Sequence, residues 1–487
     1  ANSLSFTGLN ISAPDDGTKT LSLRISLKTS GLVDNQAFQF DLASAGVTTA
    51  GAVTSSQVAS FAAIASDQTK NKIDVAATKL AFGTQPVNAG TGQPMPTAPT
   101  VYAADVNGNT DLDYATNIGV TATGSVLTGS PVSVAPGAGT GTATFTGLTF
   151  TTAANGVTLT AASGALANAT SGTFNVVLLP LPGEIVINQI SPDYNGASNE
   201  YVEIVNLTNK TFDLSLLRLE YQSSSGSGGS AGGLLSGTLQ PYSFWLLSPD
   251  ASITAGQTVA LPRDGSITAG FAGAAGQLAL RLASAPNTKI DGVGYGTLTG
   301  GTFVEGTAAV SPPTDGGIAR ISDGVDTDSN VADFQAVSNA NIYLRNSGSR
   351  IVPTGVSLAA GTYTSVSAQN NSSLGGDVSV TGRLTLGGIL STAGSTLSLG
   401  CASTVVGAGA AAYVDGAVLK DFCSTGSFSY PVGQGAYSPV AVTVTALATN
   451  PSGLKVTPYD APLGGFPTDS SLSRNWNLEE TGDLTAD

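Results

Sequence analysis

The run Gly183–Tyr221, GEIVINQISPDYNGASNEYVEIVNLTNKTFDLSLLRLEY, decides the fold. It holds two apolar strand-like segments, Glu184–Ile190 and Tyr201–Leu207, separated by a polar turn segment. Asn199 and Glu200 lead into the second segment, and Asn206, Asn209 and Asp213 punctuate the residues from its end to Tyr221. Phe244-Trp245-Leu246-Leu247 reads as a buried strand, whereas Ser223–Gly233 (SSSGSGGSAGG) is low-complexity and reads as a mobile surface loop.

Outward from this run the chain keeps the same texture. Period-two alternation dominates, as in Leu21-Leu23-Ile25-Leu27 and Phe38-Phe40-Leu42, while helical periodicity is nearly absent outside a short candidate at residues 56–65. The 487 residues suffice for three to five domains, and 61 glycines with 23 prolines suit many short strands and turns. Only 10% of residues are charged, so hydroxyls and small residues supply much of the solvated surface. The formal charge of −15, from 18 basic and 33 acidic residues, repels phosphate backbones and argues against nucleic-acid partners. Acidic surfaces do suit hard cations such as calcium. Histidine is absent, which removes the commonest general acid–base and zinc ligand. No apolar run reaches the ~20 residues that a helical membrane span needs. The two cysteines, Cys401 and Cys423, lie in one C-terminal segment and are expected to form a disulfide, which implies an oxidising compartment. The start at Ala1 reads as a mature or truncated form whose export signal has gone.

Composition shifts divide the chain. Residues 1–77 read as an N-terminal β-sandwich that could be missing its first strands. Lys79–Phe82 with Gln85-Pro86 opens a second unit over residues 78–178, joined to the first without a flexible linker. Its order, "KLAF…QP", the turn Asp105-Val106-Asn107-Gly108-Asn109, the run Ala143–Leu148 and the exit Gly172–Val176, resembles bacterial Ig-like modules of the invasin and adhesin type. Leu179-Pro180-Leu181-Pro182-Gly183 marks the clearest boundary. The Gly183–Tyr221 pattern, with Arg320–Asn330 and Arg345-Asn346-Ser347 further on, resembles the lamin-tail domain, an immunoglobulin-like sandwich, here over residues 183–350. Across residues 354–470 short fragments such as Val378-Val380, Leu384-Leu386 and Leu397-Leu399 are separated by glycines, which suits the stacked rungs of a β-helix or β-roll. Tyr413–Val418 and Phe428–Gly433 resemble modules of very large surface proteins of the Bacteroidetes type, many of them exported by the type IX system. Arg474–Leu478 reads as the start of a further module over residues 471–487. The fold class expected is all-β: tandem sandwiches followed by a Gly-rich β-helical unit.

Two acidic runs are candidate metal sites. Asp105, Asn107, Asn109, Asp111 and Asp113 place oxygen side chains at every second position and suit either calcium or a hairpin turning at Asn107-Gly108. The run is not an EF-hand loop, because Gly108 is fourth rather than sixth and Thr116 stands at position twelve. Asp323, Asp326 and Asp328, with Asp333 nearby, suit either calcium or a loop of Asx turns. Glu184, Glu200 and Glu203 are the carboxylates that glycoside cleavage would need. Glu200 and Glu203 differ by three and so face opposite sides of a strand, a poor pair. No G-x-S-x-G elbow on a strand–helix turn and no phosphate-binding loop is present. Function is therefore expected to be non-catalytic: a secreted or cell-surface stalk or fibre that contacts copies of itself, other surface proteins or glycans. The alternatives are a filament subunit assembled by strand addition, with Leu4–Ile11 as donor, and an accessory region of a large secreted hydrolase.

Overall fold

Both segments of the deciding run form strands, Ile185–Ser191 and Tyr201–Asn206, paired antiparallel. The structure, a computed structural model, describes residues 6–7, 20, 22–42, 64–65, 71–194, 199–255, 260–285, 287–461, 474–482 and 484–486. Among them the only α-helical turn is Asn330–Asp333, and the rest is strand, turn and two 3-10 segments. The all-β class follows from the alternating and β-branched segments together with the many glycine turns.

The chain divides into two units, Ala1–Leu178 and Leu179–Asp487. In the first, one sheet joins Lys79–Thr84, Thr100–Ala104 and Thr142–Thr144. A second sheet runs in the order Ala89–Gly90, Phe174–Val177, Ala154–Ala162, Ile118–Thr123, Val132–Val134. Alternate residues point inward: Val101 and Ala103 from one sheet meet Ile118, Val120, Val157 and Leu159 from the other, closing a sandwich around Phe145 and Phe150. More than half of the expected N-terminal sandwich, residues 1–77, lies outside the described residues. Its described strands are the two-residue pair Asp41–Leu42 and Ile64–Ala65, so the described end of the candidate helix at 56–65 is strand. Residues 22–28 lie outside any strand, and Leu23, Ile25 and Leu27 stay about half exposed, because no described neighbour covers the apolar side of the alternation. Most of Leu4–Ile11 falls outside the described residues.

In the second unit, a six-stranded sheet runs Gly265–Ser266, Phe244–Ser248, Tyr201–Asn206, Ile185–Ser191, Gly317–Arg320, Phe334–Val337. Every residue of its two central strands is buried. Two coverings account for this: Ile342, Leu344 and Ile351 pack on Tyr201, Leu246, Val186 and Val205, and Lys289–Tyr295 of a four-stranded sheet packs against Ile185–Ser191. That second sheet contains Gly228–Leu234, paired antiparallel with Leu217–Ser223. The expected loop at Ser223–Gly233 is thus partly a strand. Ladder hydrogen bonds need no side chains, and Gly232 (φ +94°) passes so close to Leu219 that a Cβ would lie 2.3 Å from its carbonyl oxygen.

From Arg350 the chain winds into parallel coils. Arg350–Val352, Val366–Ala368, Arg383–Leu386 and Thr404–Val406 stack in parallel register on one side. Gly361–Tyr363 and Val378–Val380 stack below the Leu397–Leu399 portion of Leu390–Leu399 and below Val414–Phe422 on another. Ladders of aliphatic residues, such as Val378, Leu397 and Val418, fill the interior. This is the β-helical arrangement expected from the glycine-punctuated fragments. Val414–Phe422 pairs in parallel with Val432–Gly433 at its start and antiparallel with Ser452–Tyr459 towards its end, so one strand belongs both to the coil stack and to an antiparallel sheet.

Candidate functional site

The Asp105–Asp113 loop begins as the alternative hairpin reading describes. Asn107-Gly108 turns the chain, with Gly108 at φ +89° and its N–H donating to the Asp105 carbonyl at 3.2 Å. Asp105 is spent within the loop: one oxygen accepts the Asn107 and Asn109 amides at 2.9 Å, and the other accepts Asn109 Nδ2 at 2.8 Å. The Asn109 hydrogen bond leads the effects that hold the Asp105 carboxyl below its ordinary range. Asn109 is buried and reaches away from the loop, donating to the Thr29 carbonyl and accepting from Leu32 N, both at 3.0 Å. Asn107 is exposed.

Asp111 and Asp113 instead meet a residue that the sequence did not single out, Asp34. A carboxylate oxygen from each of the three lies within 4.8 Å of the others. Asp34 accepts Val75 N at 2.8 Å through Oδ1 and Leu112 N at 2.9 Å through Oδ2. Asp111 Oδ2 accepts Ala77 N at 2.9 Å, while its Oδ1 is buried and receives no hydrogen bond. Burial, with Asp113 and Asp34 close by, pushes the Asp111 carboxyl up. Gly141 permits this packing, because at φ +56° its missing Cβ would sit 1.8 Å from the Asp111 carbonyl oxygen.

The second acidic run is divided between two arginines. Asp323 pairs with Arg345, accepts Ser367 Oγ at 2.6 Å and accepts Asn188 Nδ2 at 3.1 Å. Arg345 also donates to both oxygens of Glu203 and lies 4.2 Å from the Phe244 ring centroid. Burial raises the Glu203 carboxyl more than Arg345 lowers it. At Asp323 burial is outweighed by Arg345 together with the Ser367 and Asn188 hydrogen bonds, and the carboxyl sits below its ordinary range. Asp326 goes to Arg320, whose guanidinium is fully buried and also meets Asp291 at 3.3 Å and Asp333 at 3.2 Å. Asp328 is exposed, with φ +55° and its N–H on Asp326 Oδ1. Asp326 does approach two acids from elsewhere, Asp291 and Glu305, within 4.8 Å. There Arg320 and Lys289, the latter 3.0 Å from Glu305, supply positive charge. A depression of about 520 Å³ opens beside Lys289, Glu305 and Asp326.

The three glutamates singled out in the sequence have separate partners. Glu184 pairs with Lys210, and Glu203 with Arg345. Glu200 is fully buried and accepts the Gly270 and Phe271 amides at 2.8–2.9 Å. Cys401 and Cys423 are joined in a disulfide, with their Cα atoms 5.5 Å apart. Lys420, buried nearby, donates to the Cys401 and Asp421 carbonyls at 2.9 Å.

No known protein family and no curated protein matches this sequence. Among solved structures, a DUF4876 family protein from Bacteroides thetaiotaomicron is similar at 11% identity and a TM-score of 0.23, over 47% of this chain and 92% of its own. Domains 4-9 of the surface layer protein SbsC are similar at 14% identity and a TM-score of 0.17, over 48% of this chain and 32% of their own, so the chain spans about a third of that structure's length. At these scores neither likeness carries an argument about this chain.

Proposed function

We propose that this chain is a non-catalytic structural part of an exported cell-surface protein, built from Ig-like and lamin-tail-like sandwiches and a β-helical segment. The observation that carries the reading is the use made of the buried charges. Arg320 and Asp291 tie strand to strand, Arg345 ties Glu203 of a central strand to the loop residue Asp323, and all five bond to backbone or to one another. Such groups hold architecture together. The disulfide suits an oxidising compartment. The test is antibody labelling of intact cells expressing the gene, combined with thiol alkylation before and after reduction. Labelled intact cells and thiols that react only after reduction are expected. Label seen only after lysis, or free thiols in the native protein, would end the surface reading, and turnover of glycosides, esters or peptides by the purified chain would end the non-catalytic one.

A second reading, self-assembly by strand addition, is favoured by residues 22–28. Their alternate apolar side chains Leu23, Ile25 and Leu27 are exposed on a segment that belongs to no strand. Deleting residues 1–28 then abolishes polymers seen by electron microscopy; unchanged polymers would remove this reading.

A further inference from the structure

We propose that Asp34, Asp111 and Asp113 hold one calcium ion, which clamps the Asp105–Asp113 loop to the two chain segments around Asp34 and around residues 75–77. The spacing fits: calcium–oxygen bonds of about 2.4 Å place ligands on opposite sides of the ion about 4.8 Å apart, and the three carboxylates offer oxygens within 4.8 Å of one another. The donor set is all oxygen, as hard cations require.

Charge points the same way. Asp34 and Asp111 are 2% and 7% exposed, and among the described residues no lysine or arginine pairs with any of the three acids. Like charges gathered out of water repel unless a cation or a proton intervenes. The Asp291–Glu305–Asp326 cluster shows the contrast, since Arg320 and Lys289 already stand within it.

An independent observation comes from Asp111 Oδ1. It is a buried acceptor with no hydrogen-bond partner, although the other oxygen of the same carboxylate is held by Ala77 N. Buried polar atoms are nearly always satisfied, and a metal ion is one way to satisfy an acceptor. The backbone amides of Val75 and Leu112 fix the Asp34 carboxylate before any ion arrives, and Asn35 Nδ2 bridges Asp34 Oδ2 at 2.9 Å and Asp113 Oδ2 at 3.2 Å. Asp113 is exposed, so water completes the coordination on that side. Asp34 and Asp111 belong to stretches far apart in sequence, and the ion joins what the Asn109 hydrogen bonds to Thr29 and Leu32 already bring together.

The clamp stands independently of the surface reading, because it is measured on the purified chain. The full-length protein is stripped with chelator and titrated with calcium chloride by calorimetry, and its melting temperature is followed in parallel. One binding event is expected, with a calcium-dependent rise in melting temperature. Asp113→Asn and Asp111→Asn should each weaken binding by about tenfold or more and lose the rise, while Glu305→Gln should leave both unchanged. If Asp111→Asn fails to fold, Asp113→Asn decides alone, since its side chain is exposed. Absence of binding up to about 10 mM calcium, or wild-type affinity in Asp113→Asn, would overturn the proposal.

Discussion

Arg345 concentrates the work of single side chains in this molecule. Its guanidinium neutralises two carboxylates, Glu203 on the central strand Tyr201–Asn206 and Asp323 on the loop that also meets Ser367 and Gln369 of the coils. Arg345→Met keeps much of the bulk but strands both acids, so urea denaturation should show a loss of about 3–5 kcal/mol; a loss below about 1 kcal/mol would mean that water reaches the pair. Glu305 provides a pH signature. Burial, reinforced by Asp291, pushes its carboxyl up to about 7 from 4.5. The folded state therefore binds this proton more tightly than the unfolded chain, and the resulting stability is complete below about pH 4.5 and lost as pH rises through about 7. Relative to wild type, Glu305→Gln should gain melting temperature between about pH 5 and pH 8, and parallel curves would refute the assignment. At this scale the sequence was partly legible. The acidic spacing drew attention to Asp111, Asp113, Asp323 and Asp326. Spacing gave no hint of Asp34, Asp291 or Glu305, because these meet the runs only through tertiary packing. It also grouped Asp323 with Asp326, which the structure sends to different arginines.

Strands are where sequence spoke most clearly. Apolar runs bounded by turn residues gave Ile185–Ser191, Tyr201–Asn206 and Phe244–Ser248, and glycine-punctuated fragments gave the coils. Two segments went the other way for one shared reason: pairing depends on a neighbour and is not encoded locally. Gly228–Leu234 has no side-chain pattern yet pairs with Leu217–Ser223, whereas residues 22–28 have the pattern without a described partner. The disulfide belongs to this scale too. It joins the turn after Leu390–Leu399 to the end of Val414–Phe422, closing a loop with a sequence separation of 22. Restricting the unfolded chain over that length is worth about 3 kcal/mol. The Cys401→Ser/Cys423→Ser double variant should lose about that much in chemical denaturation, and an unchanged midpoint would show that the coils do not depend on the link.

Across the whole chain, each of the two units has an interior of its own: one centred on Phe145 and Phe150, the other including the coil ladders of Leu384, Leu397 and Val418. Separate interiors predict separate unfolding. Scanning calorimetry of the full chain should give at least two transitions, and a fragment of residues 179–487 should keep one of them; a single transition, lost altogether in the fragment, would show obligate coupling. The coils also bear on how such a protein changes length over generations. Val366 sits 16 residues after its register partner Arg350, Leu384 18 after Val366, and Val405 21 after Leu384. Within the stack, the strands of each storey pair only with those above and below. An in-frame duplication of one storey would therefore be absorbed as one more layer, without rewriting the sheets that precede and succeed the stack, whereas an insertion of a fraction of a storey would throw every later layer out of step.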